Sequence, residues 1–365
     1  MRTGLRILLI AAICGSVALP SSPAGAASRR RVLACRSSNP TCWPVAFAHT
    51  PGGNLFYVER YTGEIRVRNA KTGRDRAWHR VPGIATSGEQ GLLGIALDPR
   101  WRRAKRFRYV YVYYTNRSPL ENRIARFRRR DGRIRGRVLT RIPASVNHNG
   151  GTIGFGRGGK LFAVTGDAGN RSNSQSFSNL AGKVLRMTKR GEVPTDNPIL
   201  GGRRTRIWSY GHRNSFGFAF DPFTRRIWQT ENGPQCNDEI NLILAAHNYG
   251  WGPTADSDCG GTPEAEETNR DGPSPRFPAF LINPVIAPTG ATFCDGCGVP
   301  GEQGRLLYGN VNDGSIRSIA LTGGRTGISA GSDRLVLSNG ALVLGMRTRR
   351  GGIYFSDPSG VYRLV

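Results

Sequence analysis

Four short stretches of this chain concentrate side chains that bind or move charge. They are Gly88-Glu89-Gln90-Gly91, Asn147-His148-Asn149-Gly150-Gly151, Gly211-His212-Arg213-Asn214, and Glu231-Asn232-Gly233-Pro234 running into Asp238-Glu239-Ile240-Asn241. All four are polar and most are broken by glycine or proline, so they read as loops and strand ends rather than the middle of elements. Together they offer an imidazole that titrates near neutral pH, a fixed guanidinium charge, carboxylates, and turn carbonyls that a hard cation takes readily. A plainer reading of the same residues is turn polarity, because His, Asn and Gly clusters make turns and loop amides bond backbone.

Something must bring these stretches together, and the rest of the sequence supplies it. A short apolar strand, a turn with Gly, Pro or Asp, and a second strand rich in Tyr, Phe, Val or Trp recur at 46–67, 94–115, 152–170, 216–233, 305–321 and 342–365. Six variations on one unit, roughly 40 to 70 residues apart, predict blades around an axis. The expected fold is all-β, a six-bladed β-propeller of four-stranded antiparallel blades. After the first residues no long amphipathic helix is expected, and the long connections at 115–125, 170–180, 196–206 and 252–280 should carry binding chemistry at one face. The 49 Gly and 22 Pro lie among short apolar runs, as many strands and turns require.

Residues 1–26 read as a cleaved secretory signal, with Arg2 and Arg6, an apolar stretch over 7–19, and Ala24-Gly25-Ala26 as the cleavage site. The single propeller domain then runs over 32–365, exported, with no later segment approaching the ~20 apolar residues that span a bilayer. Of the 7 cysteines, Cys14 leaves with the signal. The six others suit disulfides in an oxidising compartment. Sequence leaves the pairing open, and proximity favours Cys35 with Cys42, Cys236 with Cys259, and Cys294 with Cys297. The last pair could also be read as a redox motif or half a zinc site, but it has neither a second CxxC nor a thioredoxin-like context. The net charge of +27 is carried almost wholly by arginine, a field that attracts polyanions. Scattered arginines without a groove-reading motif exclude nucleic acid, leaving anionic envelope polymers or lipid head groups as partners, or arginine drift with no partner.

Taken in order, GEQGLLGIALDP, HNGG, AGKVLRM, GHRNSFG and ENGPQCNDEIN resemble the soluble glucose and sorbosone dehydrogenases that use pyrroloquinoline quinone (PQQ). The resemblance runs from about residue 45 to 248 and is weaker from 286 onward. It implies an exported, calcium- and PQQ-dependent aldose dehydrogenase that oxidises the anomeric hydroxyl by hydride transfer and hands electrons to a further acceptor. His148 matches the family's catalytic base, and Asp167 falls where the family keeps a carboxylate to orient that imidazole. Arg213 matches the arginine facing the quinone carbonyl, while Asn214 and Gln90 match residues that hydrogen-bond the cofactor. Gly233 and Pro234 match the turn whose main-chain carbonyls ligate calcium. Asp238 and Glu239 are expected to hold that loop.

Two departures stand against the match. Where the family anchors the quinone's carboxylates with a lysine and an arginine pair, this chain has Asn312 and a segment around Ala341, with Arg347, Arg349 and Arg350 a few residues later. Asn147 also replaces an aspartate. Each lost charge-assisted contact removes roughly 1.5 to 3 kcal/mol. The other reading is therefore a propeller of the same superfamily that binds glycans or envelope polymers without turnover.

Overall fold

The computed structural model describes residues 27–35, 42–128, 134–255, 267–349 and 351–365. Its strands pair into six four-stranded sheets, each antiparallel throughout, plus one small hairpin, Ile199–Leu200 with Arg203–Arg204. The proposed signal over 1–26 lies outside the described residues. The six-bladed propeller expected from the repeats is the observed architecture.

Each blade begins with an inner strand at the axis. From the first blade to the sixth these are Pro44–His49, Leu92–Leu97, Ile153–Phe155, Ser215–Phe220, Pro288–Phe293 and Met346–Arg349. Glycines let these strands crowd together. A Cβ at Gly94 would lie 2.1 Å from the Gly151 carbonyl oxygen, and one at Gly217 2.0 Å from that of Thr289, so no other residue fits either place. Behind them stand the aromatic and β-branched strands, such as Tyr109–Asn116, whose pattern of Tyr and Val suits a surface covered on both sides.

The core is not one mass but a layer in every seam between neighbouring blades. Leu93, Tyr111 and Tyr113 of the second blade meet Leu161, Leu185 and Met187 of the third. Equivalent layers fill the other seams, the last joining Phe47, Leu55 and Tyr57 of the first blade to Leu33 and Val361. That last seam explains closure. The outermost strand of the sixth blade is the N-terminal strand Arg29–Ala34, paired from Arg29 opposite Leu364 to Ala34 opposite Gly360. The disulfide Cys35–Cys42, with a Cα separation of 5.8 Å, ties the end of this closing strand to the start of the first blade.

Because every blade runs up and down in the same sense, the segment before each inner strand and the turn between its second and third strands emerge at one face. The stretches 88–91, 147–151 and 211–214 precede inner strands, while 165–182 and 232–237 join second to third strands. All four polar stretches therefore share that face.

Candidate functional site

The HNGG loop is held in a left-handed conformation, with φ of +57° at His148 and +63° at Gly150. The His148 amide donates to the Glu89 carboxylate at 2.7 Å, and its carbonyl accepts from Ala168. Gly166 makes this approach feasible, since a Cβ there would lie 2.2 Å from the His148 carbonyl oxygen. The loop after the second strand of the third blade thus lies against the histidine and delivers Asp167 to it.

Asp167 is 1% exposed. Its Oδ1 lies 2.7 Å from His148 Nδ1 and accepts the Gly169 amide, while Oδ2 accepts Trp251 Nε1 at 2.9 Å. A carboxylate facing Nδ1 assigns the proton of neutral imidazole to that nitrogen and leaves the Nε2 lone pair outward. The His148 side chain keeps 19% of its surface exposed, which gives that lone pair access to a bound molecule.

Arg213 stands on the next blade, its carbonyl accepting the Asp167 amide at 2.8 Å. Its guanidinium donates to the Asn232 carbonyl at 3.0 Å and lies 5.4 Å from the centre of the Trp251 ring, against which Arg171 also stacks at 5.2 Å. Burial lowers the Arg213 pKa, opposed by Asp167, Glu89, Glu231 and Asp238, yet a guanidinium stays charged. Asn214 donates to both Glu89 oxygens at 3.2 Å.

Gly233 follows directly. Its amide donates to Asp238 Oδ1 at 2.9 Å, and Asp238 Oδ2 accepts the amides of Ile286 and Ala287 at 2.6 and 2.7 Å. Asp238 thereby fixes the turn, and burial pushes its pKa up to about 6. Glu239 is raised well above the usual carboxylate range, first by burial and then by Glu231 opposite it. Asp238 bonds three main-chain amides and Glu239 bonds the Asn241 side chain, contacts that tie the loop together. Among the described residues no cluster of three or more His, Cys, Asp or Glu is arranged for a metal. A cation at this turn would have main-chain carbonyls for its ligands, the donor type calcium accepts.

Gln90, singled out in the sequence for the cofactor, bonds within the protein. Its Oε1 accepts the Ser87 amide and its Nε2 donates to the Ser145 carbonyl. Its neighbour Glu89 is the residue that joins His148, Asn149 and Asn214. Sequence reasoning missed Glu89, which sat inside a recognised stretch, and Trp251, which carried no local signal. Asn312 is exposed and donates to the Val285 carbonyl, so neither it nor Ala341 brings positive charge to this face.

Two buried groups support the loops from beneath. Lys183 of the AGKVLRM stretch donates to the carbonyls of Asn173, Ser174 and Ala181 at 2.6 to 2.9 Å, and burial pulls its pKa down to about 7. His212 joins Glu231 at 2.7 Å and Ser209 at 2.9 Å. That chain has the residue types of a nucleophilic triad, but Ser209 and His212 are 0% exposed and no substrate reaches them. Its product is the position of Arg213, whose amide donates to Glu231.

Whether a large polar ligand fits can be judged from what the protein leaves unpaired. Buried polar atoms are normally bonded, yet Arg213 Nε, Asn214 Oδ1 and Asn232 Oδ1 have no partner. All three belong to the residues gathered around His148. The unpaired Arg213 Nε is a donor that suits the carbonyl end of a quinone, the two amide oxygens are acceptors for N–H or O–H groups of a ligand, and the charge for the quinone's carboxylates is thinner than the family pattern leads one to expect.

A family model described as glucose/sorbosone dehydrogenase matches residues 41–349. The aldose sugar dehydrogenase YliI of Escherichia coli K12 is 28% identical over 364 residues, covering 95% of this chain and 94% of that one. Quinoprotein glucose dehydrogenase B of Acinetobacter calcoaceticus is 30% identical over 241 residues, covering 57% of this chain and 50% of its own length. Among solved structures, the PQQ-bound form of the aldose sugar dehydrogenase of Streptomyces coelicolor superposes with a TM-score of 0.74 at 29% identity, covering 94% and 98% of the two chains.

Proposed function

The chain belongs to the glucose/sorbosone dehydrogenase family, and on that premise we propose that it is an exported PQQ- and calcium-dependent dehydrogenase that oxidises aldoses at the anomeric carbon. The observation that carries this reading is the His148–Asp167 pair at 2.7 Å with an outward Nε2, beside the partly unpaired guanidinium of Arg213. Bound PQQ would supply the two-electron acceptor that no side chain provides.

In this reading His148 Nε2 takes the proton of the sugar's anomeric hydroxyl, and Asp167 stabilises the imidazolium that results. Arg213 meets negative charge growing on the acceptor and cannot lose its own. Trp251 braces both, bonding Asp167 and stacking with Arg213. Glu89 and Asn214 set the spacing between the HNGG and GHRN loops. The carbonyls of Gly233 and Pro234 would hold calcium, which would supply Lewis-acid polarisation when bound. Export agrees with the disulfides Cys35–Cys42 and Cys294–Cys297, since such bonds persist in oxidising compartments. Cys236 is also disulfide-bonded, and its expected partner Cys259 lies outside the described residues. Among the described residues no helix is long and apolar enough to cross a membrane.

One observation favours the other reading, a glycan-binding propeller without turnover: the uncharged Asn312 and Ala341 in place of basic anchors. Reconstitution separates the two. Purified protein given calcium and PQQ should bind the quinone and show its reduction on adding at least one aldose of a panel. Failure to bind PQQ even in millimolar calcium would leave only the binding module.

A further inference from the structure

Against Gly150 of the HNGG loop the inner strands line a partly open cavity of about 40 Å³ on the propeller axis, with Phe47, Leu93, Thr152, Phe216, Thr289 and Met346 in its wall beside Arg347. Arg347 is the second residue of the sixth blade's inner strand, and its Nη2 donates to the carbonyl of Ile153, which begins the inner strand of the third blade, at 3.3 Å. Third and sixth blades are opposite in a ring of six, so this side chain crosses the axis. Its other contact is the Met346 carbonyl at 3.5 Å. Both contacts are long for hydrogen bonds of a charged donor, which prefer roughly 2.7 to 2.9 Å.

No carboxylate answers this charge. Among the described residues Arg347 forms no ion pair, and burial alone lowers its pKa, with no charged neighbour contributing. The cavity lining contains no acid, and its two threonine hydroxyls are committed, Thr152 to the Phe216 carbonyl and Thr289 to those of Gly309 and Val343. A guanidinium keeps its proton even when largely buried, and a charge without a counter-ion in such a place carries a desolvation cost. Arg347 is half-buried and lines the cavity.

We propose that Arg347 holds a small inorganic anion of the halide class on the propeller axis, in a site separate from the sugar and quinone face above it. Size decides the class. A water needs roughly 10 to 15 Å³ of such space, so the cavity takes about one ion with one or two waters, whereas a sugar or quinone needs a few hundred Å³. The same anionic chemistry could reach Arg347 as one carboxylate of PQQ, and the test separates the two sources.

Thermal unfolding is followed from about 5 to about 300 mM chloride, with gluconate, too large for the cavity, holding ionic strength constant. Wild-type protein should gain roughly 2 to 4 °C, and Arg347→Met should gain none. Crystals grown in bromide should show an anomalous peak at the guanidinium, a readout that survives even if the variant folds poorly. PQQ affinity should stay within about twofold in Arg347→Met. Parallel chloride responses in the two proteins, or no bromide peak in wild type, would overturn the site. A tenfold loss of PQQ affinity without a halide effect would assign the anion to a quinone carboxylate and overturn the inorganic one.

Discussion

At His148 the ring is oriented by the Asp167 carboxylate, itself held by Gly169 and Trp251, so the proposed acid–base chemistry at Nε2 would depend on residues from two blades. The neighbouring charge belongs to Arg213. Arg213→Ala should weaken PQQ binding and slow sugar-driven reduction by about 10²–10³, since it removes a fixed charge where negative charge develops; quinone titration and rapid-mixing spectroscopy read the two effects separately. Asp238 makes a pH prediction. Its folded pKa of about 6 lies above the ordinary aspartate value of 3.8, so the native state binds the extra proton and stability falls as pH rises through the window from about 4 to 6. The effect is at most about 3 kcal/mol. The melting temperature of wild type, compared with Asp238→Asn, should fall across that window, and a constant difference would count against the shift. At this scale the sequence was only partly legible. His148 and Asp167 could be paired through the family pattern, but Gln90 and Glu89 are adjacent on a loop whose flanking glycines have φ of +51° and +146°. Backbone of that kind decides which of two neighbours faces the site, and residue type alone does not. Trp251 lies 84 positions from the Asp167 it bonds, a distance no local pattern spans.

The elements were far easier to read, because each blade repeats the same alternation of strand and turn and each seam buries its aromatic strands by the same rule. Tyr109–Asn116, buried along nearly its whole length, shows why the repeats stood out. The closing strand did not: Arg29–Ala34 is half arginine and pairs with residues at the far end of the chain, so its partner is set by ring closure rather than by its own apolar pattern. The Cys35–Cys42 bond closes a short loop of separation 7, for which chain entropy gives about 2 kcal/mol. Replacing both cysteines with serine should lower stability by about that amount in denaturant titrations, with little change in the slope. A loss near zero would mean that the strand pairing alone holds the ring.

Across the whole molecule, chemistry is concentrated on one side of the ring. The second, third and fourth blades send Glu89, His148, Asp167, Arg213, Asn214 and Gly233 to a common face, while the fifth and sixth contribute Asn312 and Ala341, which carry no charge there. The net charge of +27 gives the molecule a long-range attraction for anions, PQQ among them, without replacing the specific anchors. In the proposed reaction His148 is the base. The most direct measurement is single-turnover reduction of bound PQQ by an aldose in wild type and His148→Ala, with PQQ affinity determined for both. The rate in His148→Ala should fall by about 10² to 10⁴ with affinity nearly unchanged, and equal rates in the two proteins would rule out His148 as the base.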